Sequence, residues 1–170
     1  MNELQTSRDD YRIAWFTALA ISIHILESSL PSLIPGMKLG LANIITIIVL
    51  FLYGWRMAVW VSLLRVIIGS ILIGTFLSPT FMLSLSGALA AVLALTTYQL
   101  PFKLSPIGIS VLAAEAHIIG QFYVAYYLFI PHDDLFTLLP ILMTIALIVG
   151  SVNGIICKNI LRNITKNEYS

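Results

Sequence analysis

From Arg12 to Arg162 the chain is a succession of long apolar runs, separated by short segments that hold proline, glycine or charge. A helix crossing hydrocarbon about 30 Å thick needs roughly 20 mostly apolar residues, because no water is there to satisfy backbone N–H and C=O groups. Runs of that kind extend from about Arg12 to Leu30, Met37 to Tyr53, Arg56 to Leu77, Thr80 to Gln99, Leu104 to Ile130, and Leu135 to Ile160. The breaks carry turn chemistry: Pro31 with Pro35-Gly36, Gly54, Ser78-Pro79, Pro101 with Pro106, and Pro131-His132-Asp133-Asp134. The pattern predicts an all-α fold, a polytopic membrane protein that is one compact bundle of six transmembrane helices. Residues 1–11 read as a cytoplasmic N-terminal tail, 12–162 as a single transmembrane domain and 163–170 as a cytoplasmic C-terminal tail. Continuous apolar runs disfavour a β-barrel, whose strands alternate apolar and polar positions.

Composition excludes several classes of function. The 170 residues are 59% hydrophobic and only 10% charged, whereas a soluble domain carries roughly a quarter charged residues. A net charge of +1 without any basic run gives no footprint for nucleic acid. The single cysteine, Cys157, makes neither an internal disulfide nor a CxxC redox or zinc pattern. Arg8, Arg12, Arg56, Lys103, Lys158, Arg162 and Lys166 fall on the side of the two termini, against Lys38 alone on the other. That asymmetry predicts the cell membrane as location, with both termini cytoplasmic. Trp15, Trp55 and Trp60 lie near the same boundary, where indole rings are favoured.

Charges inside the runs are costly, and Arg65 and Glu115 sit deepest. Each lies roughly 13 Å along its helix from the inner end, at 1.5 Å per residue. An isolated charge there costs on the order of 3 kcal/mol even on the lenient insertion scale. Similar depth and opposite sign suggest an ion pair between them; the rival reading is that either group binds a polar ligand. His24 and Glu27, three residues apart, share one face of the first helix. They precede the outer segment Leu30 to Leu41, LPSLIPGMKLGL, where Pro31, Pro35 and Gly36 interrupt helical geometry and Lys38 approaches the second helix. That segment reads either as a ligand mouth or as a routine connection with Lys38 at the headgroups. Asn43, Asn153, His117 and Gln121 would bond either a polar solute or a neighbouring helix. Glu115 and His117 face apart, since two residues turn a helix by about 200°. Ala14 with Ala18, Gly36 with Gly40, and Gly150 with Gly154 are small residues at the spacing that lets helices approach closely, within the bundle or toward a partner.

No Walker A, GxGxxG, HExxH or nucleophile elbow occurs. Asp133-Asp134 is the acidic pair outside the N-terminal tail and reads as a solvated connector. No catalytic, metal-ligating or cofactor-binding residue is assigned, and any ATP-driven role would need a separate motor protein.

The segment Glu27 to Asn43, with its LP, PG and KLGLANI elements, resembles a small bacterial membrane family named Gx transporter, also labelled heptaprenyl diphosphate synthase component I. Gly54, Arg65, Phe81 and the run Ser84-Leu85-Ser86-Gly87 match further; Ala88 stands where a second glycine is expected. The family is similar in size and span count to the substrate-capturing S components of energy-coupling-factor transporters. This resemblance implies an integral membrane subunit that binds a small, vitamin-like solute and is energised by a coupling membrane protein and ATPases. It puts Glu27, Lys38 and Asn43 near the substrate, with the deep charges Arg65 and Glu115 as further candidate ligands. Pro31, Pro35 and Gly36 then form a gate, and Ala14 and Ala18 a partner contact. The family's other label implies a non-catalytic membrane subunit of a prenyl diphosphate synthase, since the chain lacks the DDxxD that holds Mg²⁺ in chain-elongating enzymes.

Overall fold

A computed structural model describes residues 7–29, 43–99, 101 and 104–168, with side chains for all of these except 27–29 and 165–168. The α-helices are α1 (Arg8–Ser29), α2 (Asn43–Tyr53), α3 (Trp55–Ile73), α4 (Pro79–Leu95), α5 (Pro106–Val124) and α6 (Leu139–Glu168). A 3-10 turn at Thr96–Gln99 prolongs α4, a π turn at Ala125–Phe129 prolongs α5, and a 3-10 turn at Asp133–Leu138 leads into α6. No strand occurs among the described residues.

The helix ends follow from local chemistry. Ser78 and Ser105 cap α4 and α5 by accepting the backbone N–H of Phe81 at 3.3 Å and of Gly108 at 3.2 Å, each with proline in the first turn. Helix α3 stops at Gly74, earlier than the run to Leu77 suggested. Gly74 adopts a left-handed conformation (φ 77°), and its N–H reaches the Ile71 and Ser70 carbonyls, an end that glycine makes without steric cost. Leu77 also has positive φ (62°) in this turn. At the other extreme, α6 continues through the polar residues read as a tail, to Glu168.

Among the described residues, four segments are by length and composition apolar enough to cross a membrane: Trp55–Ile73, Pro79–Gln99, Pro106–Phe129 and Asp133–Ile164. Helix α2 is shorter, and the first turns of α1 carry Arg8, Asp9, Asp10 and Arg12. Residues 37–42, where the second run was expected to begin, lie outside the described residues.

Six successive residues of α2, Ile45 to Leu50, are buried. A helix apolar on every face belongs inside a bundle, and α2 lies among the others. The core around it draws Ala20 from α1, Met57, Ala58 and Val61 from α3, Ala91 and Leu95 from α4, Ile109 and Ala113 from α5, and Cys157 from α6. Cys157 donates its thiol to the Ile44 carbonyl at 3.4 Å, tying α6 to the start of α2. At the opposite end of α2, the Arg12 guanidinium lies 4.9 Å from the Tyr53 ring centroid, a cation–π contact with α1.

The periphery is apolar too. Leu72 is 63% exposed and Leu93 69%, with Ile71, Ile148, Val152 and Ile155 also turned outward. A soluble monomer rarely shows so broad an apolar surface; hydrocarbon is the solvent that suits it.

Helix α5 packs tightly against both α4 and α6 because small residues remove side chains from the contacts. A Cβ on Gly120 would lie 2.7 Å from the Ser86 carbonyl oxygen and from the Ala90 methyl. One on Gly150 would lie 2.9 Å from Val111 Cα, and one on Gly154 2.6 Å from Ile107 Cα. The Gly150/Gly154 spacing is therefore an intrachain contact, whereas Ala14 and Ala18 are both exposed on α1. Gly36 and Gly40 lie outside the described residues. Overpacking of this kind costs about 1–3 kcal/mol. Gly154→Ala is accordingly expected to lower the melting temperature of the detergent-solubilised protein. Gly108→Ala, whose new methyl finds its nearest neighbour at 3.7 Å, is expected to leave it nearly unchanged; thermal unfolding of the two variants side by side checks this.

Candidate functional site

Helices α2 and α3 form a hairpin about Gly54, whose φ of 91° makes the sharp reversal. Asn43 stands 11 residues before Gly54 and Arg65 11 residues after it. With 1.5 Å rise per residue in each arm, both lie roughly 16 Å from the turn, so the hairpin sets them side by side. Arg65 Nη2 donates to Asn43 Oδ1 at 3.0 Å. The arginine is only 4% exposed and lies near the middle of α3, a helix long enough to span a membrane, so the guanidinium is held within the bundle. A hydrogen bond to a charged group contributes about 1.5–3 kcal/mol, enough to offset part of the cost of desolvating the cation.

Two histidines pack against glycines, one on α3 and one on α4. On α1, buried His24 packs over Gly69, one turn beyond Arg65 in α3; a Cβ on Gly69 would come within 3.3 Å of the His24 ring. On α5, His117 lies in the notch left by Gly87 of α4, where a Cβ would meet three ring atoms at 2.7–2.8 Å. The ring packs against Gly87, and its Nδ1 is buried without a hydrogen-bond partner. Buried Asn153 on α6 lies between the two glycines that contact α5. Polar side chains from α1, α2, α3 and α5 thus occupy one interior zone around a fixed positive charge. Such an arrangement suits an anionic or hydrogen-bond-accepting group, since Arg65 supplies charge and planar donors.

The expected Arg65–Glu115 ion pair does not form. Arg65 turns to Asn43, and among the described residues the ion pairs are Arg12–Asp9 and His132–Asp134. Position along each helix does not decide contact, because direction around the helix matters as well. His117 on α5 packs toward Gly87 of α4, and Glu115 is about 200° away on the same helix. Its Oε2 is buried with no hydrogen-bond partner.

Of the other sequence candidates, Glu27 falls in the last turn of α1, but its side chain lies outside the described residues. Lys38 and the gate residues Pro31, Pro35 and Gly36 also lie outside them. Asp133 and Asp134 are exposed in the connection to α6, where Tyr126 donates to Asp133 Oδ1 at 2.9 Å. The sequence reading left His24 and His117 out of the site. The equal spacing of Asn43 and Arg65 from Gly54 was the signal available for the central pair; nothing in one chain's letters aligned His117 with Gly87.

The tight fit of His117 on Gly87 is testable. In Gly87→Ala the ring must move, so the imidazole ¹⁵N resonances of His117 are expected to shift, while those of exposed His132 stay in place. Unchanged His117 resonances would contradict the packing.

Comparison with known proteins adds the family. No curated protein and no solved structure matches the chain. The family described as heptaprenyl diphosphate synthase component I matches residues 16–160, a stretch that includes all of α2 to α5, most of α1 and α6, and every residue of the polar zone. On that match the chain belongs to the heptaprenyl diphosphate synthase component I family.

Proposed function

We propose that the protein is the non-catalytic membrane subunit of a polyprenyl diphosphate synthase. The observation that carries this reading is the family match over nearly the whole helical bundle, in a chain whose outward surface is apolar and whose sequence has no DDxxD. Long prenyl products partition into lipid while their diphosphates stay polar, so a catalytic partner gains from being held at the membrane. In this reading the six helices all cross the bilayer or lie within it, both termini face the cytoplasm, and the partner docks on that side. The Arg65–Asn43 pair, with His24 and His117 close by, forms the polar interior; Glu27 and Lys38 would extend it toward the outer loop.

A second reading, capture of a small solute for an ATPase-driven transporter, is favoured by the exposure of Ala14 and Ala18 on α1. An unoccupied small-residue stripe lets a coupling protein's helix approach closely. There Glu27, Lys38, Asn43 and Arg65 would line the solute site, and Pro31, Pro35 and Gly36 would gate it.

Co-expression with the catalytic prenyl synthase subunit of the same cell separates the two. The synthase reading predicts that both polypeptides co-purify in detergent and that Mg²⁺-dependent formation of the long prenyl diphosphate in proteoliposomes requires both. Full elongation without this chain, with co-purifying ATPases and solute uptake in its presence, would establish the transporter reading instead.

A further inference from the structure

Glu115 is not among the α5 residues that pack on the neighbouring helices. Helix α5 meets α4 through His117 and Gly120, α6 through Ile107, Ser110, Val111 and Ala114, and the core around α2 through Ile109 and Ala113. Glu115 belongs instead to an outer face with Leu112 and Ile119, which are 41% and 38% exposed; spacings of three and four residues align them. It is nine residues from either end of α5 (Pro106 and Val124), hence at mid-bilayer if the helix spans. The side chain is only partly buried, yet Oε2 is enclosed and lacks a hydrogen-bond partner. A carboxyl at that depth, beside lipid-facing leucine and isoleucine, is an expensive group with no stabilising contact among the described residues.

We propose that Leu112, Glu115 and Ile119 form an intramembrane docking face for a transmembrane helix of another polypeptide that presents lysine or arginine at mid-bilayer. Charge complementarity selects this occupant. A second copy of this chain would not supply the cation, because Arg65 is enclosed in its own bundle and bonded to Asn43. Exposed Arg56 lies in the first turn of α3, and exposed Lys158 lies one turn beyond Gly154, which packs on Ile107 at the start of α5, so neither is level with Glu115. Apolar ridges on either side of the carboxyl would pack against the incoming helix and exclude lipid from the pair.

This inference rests on the chain being a membrane subunit, but its test does not require the synthase. The full-length protein is reconstituted in phosphatidylethanolamine/phosphatidylglycerol vesicles with a labelled leucine-rich transmembrane peptide bearing one central lysine, and association is read by energy transfer. The lysine peptide is expected to associate on the order of tenfold more tightly than its all-leucine counterpart, and Glu115→Gln to abolish most of that preference. In Glu115→Lys the preference should pass to a peptide with central glutamate. Equal association of lysine and leucine peptides with the native protein would overturn the proposal, as would an undiminished lysine preference in Glu115→Gln. So would a Glu115 that a hydrophobic carbodiimide modifies equally with and without the lysine peptide, which would mark a proton-binding carboxyl and no docking contact. Failure of synthase co-purification alongside a positive peptide result would remove the synthase partner and leave the docking face standing.

Discussion

A guanidinium inside a hydrocarbon-solvated bundle has to be surrounded by groups that keep it there. Water cannot reach it cheaply, and lipid offers no hydrogen bonds, so protein must supply them. Arg65 meets this demand through Asn43 across a hairpin whose geometry places the two at one level. The rest of the bundle is arranged consistently with that pair. Helix α2, which brings Asn43, is buried over six consecutive residues. Helices α1 and α5 bring histidines close to α3 and α4 only because Gly69 and Gly87 leave room for the rings.

An interior of this sort is a weak source of stability. Replacing a buried ionic group with well-packed apolar residues is often neutral or favourable, so its retention points to specificity or function. Arg65 ties α3 to α2 through Asn43. Stability comes instead from packing: the apolar core around α2, and the close α4–α5–α6 contacts in which glycines bring backbones together.

How much of this was legible in the letters depends on dimensionality. Position along a helix is a one-dimensional quantity, and run length with the Ser78-Pro79 and Pro106 break signals located the starts of α4 and α5 to within a few residues; the caps made by Ser78 and Ser105 came from the structure. The end of α3 was misjudged because Ile73 to Leu77 remains largely apolar past Gly74, and composition does not register a left-handed turn. Angular placement between helices is a different matter. Arg65 and Glu115 were expected to pair on position alone, yet a helix has many directions in which to point, and Arg65 bonds Asn43. Ala88, which stands where the resemblance led a second glycine to be expected, is completely buried beside the glycine that holds His117.

The account stands on the claim that Asn43 exists to satisfy Arg65, and a double-mutant cycle of Asn43→Leu and Arg65→Met measures it most directly. Unfolding free energies in one detergent should show Asn43→Leu strongly destabilising alone, since it strips a bond from a buried cation. Arg65→Met should be nearly neutral, and the double variant should recover most of the loss, with a coupling of about 1–3 kcal/mol. If the two losses simply add, to within about 0.5 kcal/mol, the polar centre described here is not what organises the hairpin.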